Sequence, residues 1–552
     1  MSNTESVTVG GKILDNIALS MYKEAKVIFR EYIQNATDAI DDAVKDGVLA
    51  EGDGEINITI DKDARRITIE DNGIGISSLD FKSTLLGIGN SDKKLANNRG
   101  YRGIGRFCGL GYCKTLIFTS TRKGGTKLST MTFDAEKLRI MTESDKKYTA
   151  EIILNATVTF SETATDTDEH FFKVELIDVT NDELLKVTLE KDEDPSKIET
   201  VRDYLSFVAP VEYRNTFSHR EKIYKYAAEL GVKITEYKIF INGEQLAKNY
   251  KDNFTTKNGA DKIFDVAFKT FRDDENNLIA WSWIGLSQFK GVIQKTKANP
   301  NHMRCIRLRS GNIQIGDENV FQSRKLFTED RGTTYFVGEV HAVDTKLKPN
   351  SQRDYFANND TLKLFEEKLK KYFAELHDLY HYASDSRSAF KAKIQPEVFM
   401  LKIESHTPAY QATHRAEHDA ALDNLLKKAT EAETFIDKAR QDFNNNPAAI
   451  AAQVFKEIEA DAPTLEDTNI FYPPPPCCHC NIGQQKLNSF TKIFMKSFSR
   501  TRNSKARSSL TRLTRCLPNE PPRPVNRTQL QKQIHSRQFD EARDVFSAGV
   551  QR

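Results

Sequence analysis

Between residues 56 and 69 hydrophobic and polar positions alternate. Ile56, Ile58 and Ile60 are followed, after the polar stretch 61–66, by Ile67 and Ile69. A period of two on either side of a polar turn predicts a β-hairpin with one buried face. Upstream, residues 25–41 switch to helical spacing. Ala25, Ile28, Phe29, Tyr32, Ala36 and Ile40 fall on one stripe, and Arg30, Gln34, Thr37 and Asp41 are expected opposite it, towards water. Glu31, Asn35 and Asp38, at i, i+4 and i+7, run along one edge of the apolar stripe. Polar groups at a core boundary need partners, because leaving them buried and unpaired is costly.

Residues 114–121 (KTLIFTST) predict another strand. Further on, strands are expected at 237–242, 279–284 and 335–343, with a helix over 360–382, which together make a second α/β unit. Residues 386–470 are expected to be mostly helical. Leu422, Leu425, Ala429, Ala432, Ile436, Ala439 and Phe443 keep a three–four spacing. So few heptads and so many alanines favour a helix packed on its own domain over a dimeric coiled coil. At Phe471 the composition changes: FYPPPPCCHCN leads into a Ser-, Arg-, Lys-, Gln- and Pro-rich tail ending at Arg552. Little independent fold is expected there.

The chain has 552 residues, enough for roughly three or four domains. It is 39% hydrophobic and 29% charged, a balance that can fill proper cores. No uninterrupted apolar run is long enough to span a bilayer, and the first residues lack the basic and apolar blocks of a secretory signal. Seven unevenly spread cysteines do not form a disulfide framework, so a reducing, cytoplasmic setting is expected. The net charge of +2 hides an asymmetry, because basic residues strongly outnumber acidic ones beyond about residue 482. Arg500, Arg502, Lys505, Arg507, Arg512 and Arg515 could bind nucleic acid by counterion release. The aromatics Phe490, Phe494 and Phe498 precede that run rather than interleave with it, so a solvated tail is favoured. Cys477, Cys478, His479 and Cys480 are potential zinc ligands, but contiguous ligands cannot all close one tetrahedral site without strain.

Two glycine-rich segments carry candidate chemistry. Asp71, Gly73 and Gly75, in EDNGIGI after the second hairpin strand, put a carboxylate at the end of a buried strand next to backbone that can turn tightly and approach a ligand. Residues 87–111 combine a Ser-Asp-Lys-Lys cluster with Gly100, Gly103 and Gly105, whose freed N–H groups could cradle phosphate oxygens. Taken singly, these segments could be a helix with an incidental polar edge, an ordinary turn and a flexible loop.

Together, in this order and spacing, they resemble the GHKL superfamily, which includes type II topoisomerases, heat-shock protein 90 chaperones, MutL-type repair proteins and sensor histidine kinases. Glu31, Asn35, Asp38 and Ala39 match ExxxNxxDA; Asp71, Gly73 and Gly75 match DxGxG; Gly100, Gly103 and Gly105 match GxxGxG. The resemblance implies bound ATP, with Asn35 holding Mg²⁺ and Glu31 acting as general base. It implies Asp71 on the adenine amino group and Gly73 and Gly75 leaving room for base and ribose. Gly103, Ile104 and Gly105 would donate to phosphates, and Asp38, Ser91 and Lys93 would complete the nucleotide surroundings. One departure stands out. The family's Gly-Thr pair on a later strand is missing from the corresponding place, 168–176 (DEHFFKVEL).

The second unit selects a branch. Residues 305–321 and 341–356 resemble the middle domain of the heat-shock protein 90 family, with Asn350, Arg353 and Asp354 matching its Asn-x-x-Arg-acidic motif. The resemblance implies that Arg353 reaches the γ-phosphate of ATP held by the N-terminal domain; a plain salt bridge to a nearby acid is the alternative. The expected fold is therefore α/β, in the α+β sandwich sense. It comprises an N-terminal Bergerat ATP-binding domain (1–205), an α/β, transducer-like middle domain (206–385), a helical region (386–470) and a Pro/Cys segment with a disordered basic tail (471–552). The expected activity is that of an Mg-dependent ATPase and conformational clamp acting on protein clients or partner proteins, with a homodimer implied by the family. A DNA-directed, MutL-like ATPase is the alternative. No membrane association is expected.

Overall fold

The computed structural model describes residues 9–15, 24–87, 105–298 and 300–465. The chain divides into two compact units, one made of residues 1–387 with 438–461 and the other of 388–437 with the chain from 462 onward.

In the first unit, α1 (Lys12–Asp15) and α2 (Val27–Lys45) precede the expected hairpin. Strands β1 (Glu55–Asp61) and β2 (Arg66–Asp71) pair antiparallel with Ile58 opposite Ile69, and all five isoleucines are buried. After α3 (Phe81–Leu86) come β3 (Thr115–Thr121) and β4 (Lys127–Asp134), then α4 (Ala135–Glu143) and α5 (Ala150–Thr157), then β5 (Val158–Ala164) and β6 (Phe171–Ile177). The side chains of Asp134 and Thr149 accept from backbone N–H groups at the starts of α4 and α5, satisfying donors that a helix start leaves free. Helix α6 (Val201–Val208) begins with a reciprocal capping box between Thr200 and Asp203. Then follow α7 (Arg220–Glu229), β7 (Lys238–Ile241) and β8 (Glu244–Gln245).

These strands form one eight-stranded sheet in the order β5-β4-β3-β6-β2-β1-β7-β8. The strand expected at 237–242 thus joins the N-terminal sheet, not the second unit as its place in the chain suggested. It pairs parallel to β1, with Ile239 beside Ile56 and Ile241 beside Ile58, so it extends the same buried isoleucine face. The core beneath the sheet is supplied by Ile28, Phe29, Tyr32, Ile33, Ala36 and Ile40 of α2 and by Leu138 of α4.

A second sheet follows in the same unit. β9 (Asn253–Thr256) and β10 (Gly259–Lys262) make a hairpin. β11 (Asp265–Arg272), β12 (Leu278–Leu286), β13 (Cys305–Ser310), β14 (Ile313–Ile315) and β15 (Val337–Ala342) form a sheet ordered β11-β12-β15-β13-β14. β13 and β15 run parallel and the other neighbours antiparallel. The short α8 (Val320–Ser323) and the 45-residue α9 (Asp360–Glu404) complete this part. Phe365 and Tyr372 of α9 meet Phe271 edge-on, and Phe373 stacks on Phe327 at 4.3 Å. The mixed α/β class expected from the sequence is present.

In the second unit, α9 and α11 (Arg415–Asn445) run antiparallel on either side of α10 (Pro408–Thr413), with Lys393 3.5 Å from Glu433 and Phe399 near His418. The predicted stripe is the covered side of α11: Leu422, Ala432, Ile436 and Ala439 are buried within the single chain. α12 (Ile450–Ala460) returns to the first unit. Among the described residues no helix is long and apolar enough to cross a membrane, and Cys108, Cys113 and Cys305 are buried free thiols. Residues 471–552, with Cys477, Cys478, His479 and Cys480, lie outside the described residues.

Candidate functional site

Helix α2 carries the site along one edge. Glu31 and Asp38 are buried and Asn35 is half-buried. No described residue hydrogen-bonds the Asn35 side chain. Two glycine segments close on this edge from opposite ends. At the far end, the Asp71–Gly75 turn packs on Ala39: the N–H of Ile74 donates to the Ala39 carbonyl at 3.0 Å, and a Cβ on Gly73 would sit 2.7 Å from the Ala39 carbonyl carbon. At the near end, a Cβ on Gly105 would sit 2.5 Å from Glu31 Oε2. Neither position has room for a side chain. Eight residues of helix separate the two contacts, about 12 Å at 1.5 Å per residue.

The turn is anchored from three sides. Asp71, buried at the end of β2, accepts from the Gly73 N–H through Oδ1 at 3.0 Å. Ser120 of β3, fully buried, accepts from the Ile76 N–H at 2.9 Å and donates to the Phe171 carbonyl at 2.6 Å. His170 Nδ1 lies 2.9 Å from the Gly73 carbonyl. Gly75 has φ +68°, and a Cβ there would lie 1.8 Å from the Thr121 carbonyl oxygen, so only glycine fits. Sequence reasoning missed Ser120 and His170, since each acts through strand pairing that a linear pattern does not display. At the strand beside the Asp71 turn, Phe171 and Phe172 hold the start of β6, and Phe172 stands directly opposite Asp71 in the register.

Tyr32 pins the other glycine segment to α2. Its hydroxyl donates to the Arg106 carbonyl at 3.0 Å and accepts from the Gly109 N–H at 3.1 Å, fixing the 3₁₀ turn Gly105–Gly111. Burial pushes the Tyr32 phenol well above its ordinary range, so it stays a neutral donor. Arg106 in turn donates to the carbonyls of Leu85 and Gly87 at 3.1 and 2.8 Å. Ser91, Lys93, Gly103 and Ile104, expected around the phosphates, lie outside the described residues.

The face of α2 expected to meet water does so only at Asp41. Arg30, Gln34 and Thr37 are all buried. At Arg30 the cause is tertiary, because the loop 350–355 reaches the start of the helix. Arg30 donates to the Gln352 carbonyl at 3.2 Å, and Arg353 Nε lies 3.2 Å from Glu31 Oε1. Arg30 Nε is 3.7 Å from the same oxygen. Glu31 Oε1 makes no hydrogen bond of good geometry, and neither does either amide atom of Gln34. Arg353 sits at φ +53° in a tight turn closed by the Asn350 N–H on the Tyr355 carbonyl at 2.9 Å, with its own carbonyl accepting from Gly316 N–H at 2.9 Å. A left-handed arginine is uncommon, and such strain gathers at functional turns. The two expected catalytic residues, 322 positions apart, therefore form one ion pair, the contact named above as the alternative for Arg353.

A polar cavity of about 520 Å³ lies beside this contact, between the start of α2 and the 316–324 segment. It is lined by Glu24, Arg30, Glu199, Arg307, Asp317 and Asp354 among others, and by none of Glu31, Asn35, Asp38 or Asp71.

Comparison with known proteins agrees with the geometry. A family profile described as histidine kinase-, DNA gyrase B-, and HSP90-like ATPase matches residues 22–167. The chain is 34% identical over 137 residues to the chaperone protein HtpG of Psychromonas ingrahamii, covering 22% of each chain. It is 31% identical over 165 residues to that of Rickettsia rickettsii, covering 26% of this chain and 27% of the relative. It is 41% identical over 81 residues to that of Alkalilimnicola ehrlichii, covering 14% and 12%. The chain thus matches about a quarter or less of the length of these relatives. The segment that carries the α2 edge and the Asp71 turn is of the GHKL ATPase type.

Proposed function

We propose that the chain is an ATP-hydrolysing conformational clamp of the kind its HtpG relatives are named for, acting on protein clients. The observation that carries this reading is the Glu31–Arg353 contact, in which the two domains of the first unit meet at one carboxylate oxygen. A device that couples hydrolysis to domain movement needs a group shared in this way, because a ligand shifts a conformational equilibrium only by interacting differently with the two states.

The roles are those the family resemblance implies. Asp71 takes the adenine amino group, its carboxylate held in place by the Gly73 N–H. Gly73 and Gly75 let the turn pack directly on Ala39 and Thr121, where a Cβ would clash, and so keep Asp71 in place. The resemblance assigns the phosphates to Gly103, Ile104 and Gly105, with Ser91 and Lys93 as further nucleotide contacts. Asn35 and Asp38 line the helix edge between the two ends. Asn35 offers an amide oxygen that no described residue occupies, suited to a hard cation. Mg²⁺ there would neutralise charge on the phosphate oxygens. Glu31 takes the proton of the attacking water through Oε1, which makes no hydrogen bond of good geometry and is released once Arg353 moves away. Arg353 leaves Glu31 for the γ-phosphate and stabilises charge as the phosphoryl group departs. Exchange of Arg353 between these two anions would open and close the domain contact. A cytoplasmic setting and a homodimer belong to the same reading. The alternative of a DNA-directed ATPase draws on residues 471–552, outside the described ones, and the HtpG relatives do not favour it.

The test is ATP binding and turnover by the full chain, with and without Mg²⁺ and an unfolded protein. Glu31→Ala is expected to bind ATP and lose turnover by about 10²–10⁴-fold. A variant that hydrolyses normally, or a parent that takes up no ATP with magnesium present, would overturn the assignment.

A further inference from the structure

Far from Glu31 in the sequence, α9 carries two histidines one turn apart. His377 and His381, at i and i+4, share a face, with ring centroids 4.5 Å apart. Glu329, in the loop between α8 and the 3₁₀ turn Gly332–Tyr335, faces both. His377 Nε2 lies 3.5 Å and His381 Nε2 3.4 Å from the same oxygen, Glu329 Oε1. These distances are long for charge-assisted hydrogen bonds, which run at about 2.7–2.9 Å. His381 Nε2 is in fact buried with no hydrogen-bond partner. Both distances match the spacing of neighbouring ligands on one tetrahedral ion, where donors about 2.0–2.1 Å from a metal stand roughly 3.3–3.4 Å apart, and all three ligand atoms lie within 4.8 Å of one another.

The surroundings orient each donor. Glu329 Oε2 accepts from Arg331 Nε at 2.6 Å and from the Tyr380 hydroxyl at 3.1 Å, which turns Oε1 towards the histidines. Asp378 Oδ1 lies 3.2 Å from His377 Nδ1, favouring the tautomer that leaves Nε2 with a free lone pair. Tyr380 is held by stacking on Tyr335 at 4.4 Å. Carboxylate and hydroxyl groups behind the ligands are the usual outer support of a metal site.

We propose that Glu329, His377 and His381 bind a single divalent transition ion of the zinc class, with water in the fourth position. Two imidazoles and one carboxylate suit zinc, cobalt or nickel, whereas magnesium and calcium prefer all-oxygen cages. The ion clips the loop before Gly332 to the middle of α9. Because it binds only the folded arrangement, it stabilises that arrangement by mass action.

The experiment uses the full chain carrying Cys477→Ser, Cys478→Ser, His479→Asn and Cys480→Ser, so that the other candidate ligands are silent. This parent is expected to take up a single equivalent of zinc against a chromophoric chelator. It should show the visible bands of tetrahedral Co²⁺ and gain thermal stability on adding zinc. His377→Ala and His381→Ala should each lower zinc affinity by about 100-fold or more, and Glu329→Gln should also weaken it. Circular dichroism and melting in chelator, unchanged in these variants, separate lost ligation from lost folding. A parent that binds no zinc at micromolar concentration, or histidine variants that keep the parent's affinity, would overturn the proposal.

Discussion

Two glutamates buried in the first unit have opposite surroundings. Glu339 on β15 is fully buried, yet it is satisfied from every side. Arg309 Nε reaches it at 2.5 Å, the hydroxyls of Tyr213 and Tyr250 at 2.5 and 2.9 Å, Trp283 Nε1 at 3.3 Å and His341 Nε2 at 2.9 Å, with Lys248 at 3.6 Å. Burial alone would raise its carboxyl, but Arg309 and Lys248 override that and hold it well below the usual range. Glu31 is nearly as buried, but one of its oxygens makes no good hydrogen bond and meets two arginines at 3.2 and 3.7 Å. Burial of a charge therefore does not distinguish a site from a core. Incomplete satisfaction does: the saturated carboxylate fixes a structure, and the unsaturated one keeps an acceptor in reserve.

The sharpest way to break this contrast is to neutralise each carboxylate in turn. Glu339→Gln leaves Arg309 buried without its counter-charge, and the first unit is expected to lose about 3–5 kcal/mol of stability in denaturant melts. Glu31→Gln should abolish turnover and cost less stability, because Arg30 and Arg353 meet Glu31 at longer range than Arg309 meets Glu339. If the two stabilities moved alike, satisfaction would not be what separates the residues. Next in size is Gly75→Ala. With φ +68° and the Thr121 carbonyl 1.8 Å from the added methyl, the turn must move, and ATP affinity measured by titration should fall by more than about tenfold. Wild-type affinity would mean that the turn is not part of the pocket. Arg353→Ala follows, expected to slow single-turnover hydrolysis by about tenfold or more with little change in ATP affinity. Unchanged turnover would reduce its contact with Glu31 to scaffolding.

The contrast also separates what a linear reading can see from what it cannot. The isoleucine alternation of β1 and β2 was legible because each residue's face depends only on its neighbours in the chain. So were Asp71, Gly73 and Gly75, because a tight turn leaves its mark within a few positions. Arg30 looked solvent-facing because the loop that meets it comes some 320 residues later. β7 looked like part of the second unit because only its pairing with β1 shows which sheet its isoleucines complete. His170 was visible only as one letter in a strand lacking the expected Gly-Thr pair, although it bonds the carbonyl of Gly73 itself. The Glu339 cluster left no trace, since its donors come from residues 213, 248, 250, 283, 309 and 341. Long-range partners decide whether a buried polar residue is satisfied, and that is the information a single sequence withholds.

The smallest effect tests the saturated side of the contrast through pH. His341 stacks on Trp281 at 4.3 Å, and burial lowers its imidazole from its ordinary 6.5 to about 4 despite the neighbouring Glu339. Lys248, buried and facing Arg309, drops from 10.5 to about 7, although Glu339 pulls the other way. In both cases the unfolded chain binds the proton more readily than the folded one. Stability must therefore rise with pH between the folded and unfolded values, and fall as acid is added across the same window. For Lys248 the loss runs from pH 10.5 down to about 7, and for His341 from pH 6.5 down to about 4. Melts across pH 4 to 10 should show both slopes. His341→Gln should flatten the acid one and leave the alkaline one, and Lys248→Met should do the reverse. Glu31→Gln should alter neither, because no group of the Glu339 cluster touches it. An acid slope that survives His341→Gln would mean the imidazole titrates in the folded state much as it does in water, and the Glu339 cluster would not be the closed, fully satisfied network that distinguishes it from Glu31.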